Sequence, residues 1–463
     1  MHVCQIQVKN NKEYGKTLSL AVNRLNSYLI DIQSVFHISC KNVLNTACDY
    51  IKGIWLSRLS NLEKIAETGI PDNYHKLQHF ISDSPWDHRG LMDNVSKEAS
   101  RMMPKQKLVG LHLDESGNRK KGKHSIGVDA QYCGNVGKVD NCQVAVFAAL
   151  GHGDYATIVD SILYLPKSWT QNKARLNKAK VPNEHRSFKT KQSLALEIIK
   201  HQLELGTKFD YIGGDAYYGA DQQLTDAIDE MMLAFVMDIR ENQHVFLEKP
   251  QIAVPESKNK RGRRPRKLKA NISSITVSDY LKTLDNNDFI ELKVRNTAKG
   301  KLKCLYHFKE VFIWNGENHH ASKRLLIIRK SIKKKKIEIR YALGNVNLIQ
   351  YTPETIAYMQ AQRFFIEHSF KEAKSVLGLN QFQTRKWLAW YHQVALNMLL
   401  LLFIFKEKLL NFDAMPLLSA WDIKQVMQMV IYCTIDDLDR LLEQIFKRHI
   451  IRQKDINRYY SPS

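Results

Sequence analysis

The chain has 463 residues, 44% of them hydrophobic, and carries 69 Lys and Arg against 47 Asp and Glu, a formal net charge of +22 at pH 7. That length and apolar content suffice for packed cores in two or three domains and exclude a non-globular chain. Such a positive excess points to a polyanionic partner, nucleic acid first, although membrane-surface and merely solvated proteins share the balance.

The seven cysteines (Cys4, Cys40, Cys48, Cys133, Cys142, Cys304, Cys433) are scattered, odd in number and never form a C-x-x-C pair, as expected of reduced core residues. The first residues lack an apolar leader, and the longest apolar run, Met398 to Phe405, is far below the roughly 20 residues that span a bilayer. A soluble cytoplasmic protein is expected.

Residues 1–100 show helical patterning, for example Leu56 to Ile65, broken at Gly69, Pro71 and Asp72, and predict a helical N-terminal domain. Within it, Leu77 to Leu91 mixes aromatics with His and Arg in a way that suits DNA contact, yet Phe80 and Trp86 fit core packing better. From Lys107 the pattern changes to period two. Val109, Leu111 and Leu113 predict a strand ending at Asp114, which would deliver a carboxylate at its tip. Gln143–Leu150 and Tyr155–Leu165 predict a hairpin in the same sheet. Lys189–Leu205 reads as a helix, and FDYIGGDAYYGA as a strand ending in Asp215 among glycines. A helix over Asp221–Met232 and a strand over Ala234–Ile239 follow. This order predicts an α/β fold, a mixed sheet flanked by helices, over 101–240 and 346–410.

Between them, 241–345 reads as a β-rich basic insertion, with strand-like pieces such as FIELKVRN, EVFIWNG, RLLIIRK and KIEIRYAL. Its loop SKNKRGRRPRKLK places Arg261, Arg263, Arg264 and Arg266 where an extended arm would enter a minor groove, or would simply be solvated. Lys333 to Lys336 would add phosphate contacts or face water. A helix is predicted after Pro353. At about 100° per residue, Arg363, Glu367 and Lys374 share one face, beside an apolar stripe of Ile366, Phe370, Ala373 and Leu377. Taken alone, this helix reads as amphipathic with an ordinary Arg–Glu pair. WLAWYHQVALNMLLLLFIF predicts a largely buried helix whose Trp387, Trp390 and His392 pack or line a DNA channel. The region 411–463 reads as helical and amphipathic, a plausible dimer contact.

Together, LDES around Asp114, GGDAYYGA around Asp215 and RFFIEHSFKEAK from Arg363 to Lys374 resemble the motifs of bacterial insertion-sequence transposases of the DDE superfamily. The likeness is to the group whose third motif reads Tyr, Arg, Glu, Lys at spacings of three, four and seven. Arg363, Glu367 and Lys374 match; Gln360 stands where the tyrosine should be, and the nearest tyrosine is Tyr358. The resemblance continues through KKGKHSIGV, QYCGNVGKVDNCQ and LGLNQFQTR. It implies a ribonuclease-H-like core with a β-rich insertion before the glutamate helix. The 152 positions from Asp215 to Glu367 leave room for one.

Cutting and joining phosphodiesters needs an activated oxygen nucleophile, a stabilised leaving oxygen and charge neutralisation, which two Mg²⁺ ions about 3.5–4 Å apart supply. Three carboxylates on separate elements suit Mg²⁺, with Mn²⁺ as a substitute. Asp114 would bridge both ions, and Asp215 and Glu367 would each complete one. Glu115 is the alternative first ligand, and Asp129, Asp140 and Asp154 lie nearby. His and Cys are not clustered at zinc spacing; His319 and His320 are isolated. Arg363 and Lys374 would hold phosphates of the scissile strand, with Gln360 and Arg385 as further DNA contacts. Trp314 would stack on a flipped base or pack in the core.

The expected protein is a cut-and-paste DNA transposase. It would bind double-stranded terminal repeats as a homodimer, cleave them by metal-activated hydrolysis and join the 3′-OH ends to target DNA on the bacterial nucleoid. An inactive DNA-binding derivative and a stand-alone structure-selective nuclease are the alternatives.

Overall fold

The alternation of Val109, Leu111 and Leu113 does build a strand, β1 (Gly110–Arg119), but it runs five residues past Asp114. The reason is a partner along its whole length. Residues from Gly110 to Arg119 pair antiparallel with Gly151 to Cys142, so the ladder persists through the polar residues that follow Asp114. The computed structural model describes residues 17–69, 73–104, 108–134, 136–153, 155–255, 266–297, 300–333, 336–432 and 435–460.

Beyond β1 come β2 (Asp129–Cys133), β3 (Lys138–His152), β4 (Tyr155–Leu163), β5 (Tyr211–Gly214) and β6 (Phe235–Ile239). The hairpin expected from Gln143 and Tyr155 is β3–β4, and β2 is an addition to the sequence reading. β2 has alternating exposed and half-buried residues, so it lacked an apolar signature. β3 shares one edge between β2 and β4 and gives the other to β1. Its centre is apolar at every position because both faces are covered.

The insertion supplies β7 (Ile290–Thr297), β8 (Gly300–Ile313), β9 (Ser322–Lys333) and β10 (Lys336–Gly344). They form an antiparallel meander whose last strand pairs with β6, Tyr341 opposite Ile239 and Gly344 opposite Val236. The insertion therefore extends the core sheet into one of ten strands, ordered β7-β8-β9-β10-β6-β5-β1-β3-β2, with β4 on β3. Among the described residues, only β1–β5 and β5–β6 are parallel. This pairing also closes the edge that β6 would otherwise expose.

The N-terminal region is helical as expected, with α1 (Ala21–Asp31), α2 (Leu44–Leu56), α3 (Leu62–Gly69), α4 (Tyr74–Ser82) and α5 (His88–Met102). Helix α6 (Lys191–Glu204) precedes β5, and α7 (Gln222–Glu230) precedes β6. The glutamate region forms two helices, α8 (Pro353–Gln362) and α9 (Phe364–Ser375), where the sequence suggested one. The chain closes with α10 (Trp387–Leu410), α11 (Ala420–Tyr432) and α12 (Ile435–Arg458).

Helix α10 is the hub of the core. Its 24 residues are long and apolar enough to cross a membrane, yet 94% of its most apolar stretch is buried inside the fold. Helices α4 and α5 pack on it, and one apolar cluster runs from Leu18 through Trp86 and the sheet to Ile445. Trp86 is stacked between Phe80, at 5.5 Å, and His392, at 4.0 Å. All three are buried, as are Trp387 and Trp390; Trp387 also borders a surface cavity with His88, Arg89 and Tyr391.

One ion pair with a buried carboxylate ties α5 to the sheet. Arg89 reaches Asp160 of β4 at 2.7 Å, and Asp160 is 1% exposed. Removing one partner of such a pair strands a charge in low dielectric. Arg89→Ala is therefore expected to destabilise the fold by about 3 kcal/mol, read as a lowered denaturation midpoint. An unchanged midpoint would show that Gln202 and the Ser161 amide, which also bind Asp160, are enough for it.

Candidate active site

Register places the first two carboxylates. Leu113 pairs with Gly214 at the last parallel step between β1 and β5, so Asp114 and Asp215 are the next residues on neighbouring strands. Asp114 is thus not at a strand tip, as the sequence suggested, but where its parallel neighbour ends. At Asp215 the chain turns into a single helical turn, Ala216–Gly219, and the carboxylate accepts a hydrogen bond from the Tyr217 amide at 2.9 Å.

The glycines before Asp215 have a steric cause. A Cβ on Gly213 would lie 2.4 Å from Nδ1 of His112, whose ring is completely buried in β1. A Cβ on Gly219 would lie 2.1 Å from the Asp238 carbonyl oxygen. Both close approaches hold β5 and its turn tightly against β1 and β6.

Glu367 stands on α9 across a cleft of about 780 Å³ lined also by Asp114, Glu115, Lys371 and Lys374. The stripe expected to anchor this helix is buried: Ile366, Phe370, Ala373 and Leu377. Arg363 occupies the junction of α8 and α9. Its guanidinium lies 3.1 Å from Glu367, 3.2 Å from Asp238 and 3.8 Å from Asp114. Glu367, half exposed at 52%, is therefore turned toward Arg363. Among the described residues no three Asp, Glu, His or Cys side chains converge closely enough to hold an ion as they stand.

The electrostatics fit a cation site nonetheless. Burial, reinforced by Asp215, pushes Asp114 up to about 7 against the pull of Arg363. Two adjoining carboxylates in a poorly solvated place favour a proton or a hard cation between them, and all three candidate donors are oxygen. Asp238 is held above the usual carboxylate range by burial, which outweighs Arg363, Arg340 and Arg329. The sequence reading missed this residue. The available signal was a lone acid in the apolar strand AFVMDI.

The competing carboxylates have partners of their own, although Glu115 also lines the cleft. Glu115 pairs with Lys191 at 2.8 Å, Asp140 with Arg119 at 2.7 Å, and Asp129 accepts from Ser168. Asp154 lies outside the described residues.

Of the expected DNA contacts, Lys374 lines the cleft, and burial lowers it to about 8. Gln360 is 6% exposed and lines a neighbouring cavity with Arg363. The hydroxyl of Tyr358, the nearest tyrosine to that position, is bound to His152 and the Gly153 amide. Trp314 donates to the Asn318 carbonyl at 2.6 Å and lines a separate groove with Asp221 and Gln243. Arg385 and Arg266 are exposed. Arg261, Arg263 and Arg264 lie outside the described residues, and the run Lys333 to Lys336 is described only at its ends.

A mixed sheet with parallel central strands, two carboxylates at their adjoining ends and a glutamate helix across the cleft defines a ribonuclease-H-like catalytic fold. The chain belongs to the DDE superfamily endonucleases, whose family model matches residues 56–300, just over half of the chain. Asp114 and Asp215 fall inside that match, while Glu367 lies beyond it. The chain is also similar to a probable transposase for insertion sequence element IS701 from Microchaete diplosiphon, 30% identical over 188 residues. That stretch covers 40% of this chain and 45% of the relative, so the chain spans less than half of that protein's length.

Proposed function

We propose that the protein is the transposase of an insertion sequence, binding double-stranded DNA at the element's inverted repeats, cleaving there and joining the freed 3′-OH ends to target DNA. The observation that carries this reading is the side-by-side placement of Asp114 and Asp215, faced by Glu367, in a chain of charge +22.

Asp114, Asp215 and Glu367 would hold Mg²⁺, or Mn²⁺ in its place, and such ions activate the attacking oxygen and neutralise charge on the phosphate. Glu367 reaches that arrangement by leaving Arg363. Arg363 then exchanges a carboxylate for a phosphate oxygen of the scissile strand, which its planar fork matches. Lys374, one side of the same cleft, adds a second cation to the strand. A homodimer holding two ends, with the β-rich insertion and the helical N-terminal region against DNA, completes the proposal, acting at the nucleoid in the cytoplasm.

The test incubates the protein with Mg²⁺ and DNA carrying the element's own ends. Cleaved ends together with joined products support the proposal. Cleavage of branched or nicked DNA without joining would make it a nuclease. Binding to the ends without product in Mg²⁺ or Mn²⁺ would make it a DNA-binding derivative.

A further inference from the structure

A backbone amide orients each of the two adjoining carboxylates. Asp114 Oδ1 accepts from the Glu115 amide at 2.7 Å, and Asp215 Oδ1 accepts from the Tyr217 amide at 2.9 Å. One oxygen of each is thereby fixed, and the other is left for a cation.

A single side chain joins the two residues that supply these amides. Lys191, the first residue of α6, places its Nζ 2.8 Å from Oε1 of Glu115 and 5.3 Å from the ring centre of Tyr217. Its side chain is 12% exposed and that of Glu115 22%, so water screens the contact little. An ammonium in such surroundings attracts both a carboxylate and an aromatic face more strongly than it would at the surface. Lys191 therefore ties the strand just after Asp114 to the turn just after Asp215.

Stability alone does not account for this arrangement. Lys191 puts a positive charge in the first turn of a 14-residue helix, where the helix dipole disfavours it. The second oxygen of Glu115, Oε2, is buried with no hydrogen-bond partner, which opposes folding. Glu115 also lines the cleft that holds Asp114 and Glu367.

We propose that Lys191 is a positioning residue of the cation site: through Glu115 and Tyr217 it holds Asp114 and Asp215 at the separation that a divalent cation requires. The inference rests on the carboxylate set proposed above. Residues that orient ligands without touching the ion set its affinity, and losing one typically costs about 10–100-fold.

The test measures Mn²⁺ binding to the full chain held on a duplex carrying an element end, by electron paramagnetic resonance of the free ion, with Asp114→Asn as the background. Lys191→Met is expected to weaken the Asp114-dependent binding by about tenfold or more, while affinity for the duplex in EDTA stays within about twofold of wild type. The sign is diagnostic. Removing a positive charge from beside a cation site tightens binding by charge alone, so a loss reports geometry. Lys191→Arg, which keeps the charge, should restore most of the affinity. Lys191→Met combined with Glu115→Gln leaves the net charge unchanged and strands no carboxylate, and it should lose as much as Lys191→Met; it carries the test if the single variant does not fold. Unchanged Mn²⁺ affinity in whichever of these two variants is folded overturns the proposal. So does a gain, which would make Glu115 a rival ligand that Lys191 only holds away. If wild type binds no more Mn²⁺ than Asp114→Asn, the carboxylate set itself fails and the role of Lys191 goes with it. If the duplex is not bound, the transposase reading fails and the same comparison on the free chain decides for Lys191.

Discussion

Replacing Asp215 by Ala, or Asp114 by Asn, is expected to reduce strand cleavage and strand transfer by about a thousandfold or more, the scale of losing one charge-stabilising group from an active site. Both variants should still bind the element's ends. Asp114→Asn is isosteric and removes only the ionisable oxygen that burial and Asp215 already hold up to about 7. Asp215→Ala forfeits one capping hydrogen bond to Tyr217, about 1 kcal/mol, on a single helical turn. Loss of stability thus cannot account for a thousandfold loss of rate. Cleavage within about tenfold of wild type in either variant, measured on bound complexes, would remove that residue from the catalytic set. Glu367→Gln should lose as much, which would extend the assignment past the segment matched by the family model.

The second large effect is on stability and is set by pH. Three histidines are held uncharged, His112 and His392 fully buried and His88 half-buried: desolvation lowers His112 and His392 to about 3 and His88 to about 4, from 6.5. The unfolded chain takes up these protons below 6.5 while the native state refuses them. Each therefore removes about 1.4 kcal/mol per pH unit as pH falls. Asp114 works in the opposite sense. Its folded-state value of about 7 exceeds the ordinary 3.8, so the native state binds a proton that the unfolded chain lacks, and acidification favours folding there. Between pH 7 and pH 5 the three histidines outweigh it, leaving a net loss of about 3 kcal/mol. Denaturant unfolding in EDTA at the two pH values measures this. Asp114→Asn should enlarge the loss by about 2 kcal/mol. A stability that is flat or rising toward pH 5 would contradict the burial of these rings.

Much of the catalytic framework was legible in the sequence because it depends on local pattern. The period-two run before Asp114, the glycines around Asp215 and the apolar stripe of α9 each carry their own signal, and each forms the element it predicted. Three features were not legible, because long-range pairing creates them. Strand β1 continues past Asp114 only because β3 supplies partners. The insertion joins the core sheet only through β10 and β6. Arg363 lies against Asp238, 125 residues earlier in the chain, and nothing in the helical pattern of α8 and α9 announces that ion pair. Trp86, by contrast, reads as core packing from local composition alone, and the fold stacks it on His392, for which the sequence leaves packing and a DNA channel both open.

The core that joins the N-terminal helices to α10 has a consequence for biosynthesis. Tyr50 donates to Gln393 at a separation of 343 residues, and Trp86 and Trp55 rest on side chains of the same late helix. At elongation rates of roughly 5–20 residues per second, the ribosome needs on the order of tens of seconds to deliver that partner. Throughout that interval Trp55 lacks Phe403 and one face of Trp86 lacks His392, while Trp86 keeps only its early neighbours Phe36 and Phe80. Chains terminated before α10 are therefore expected to leave this aromatic surface open to chaperones and proteases.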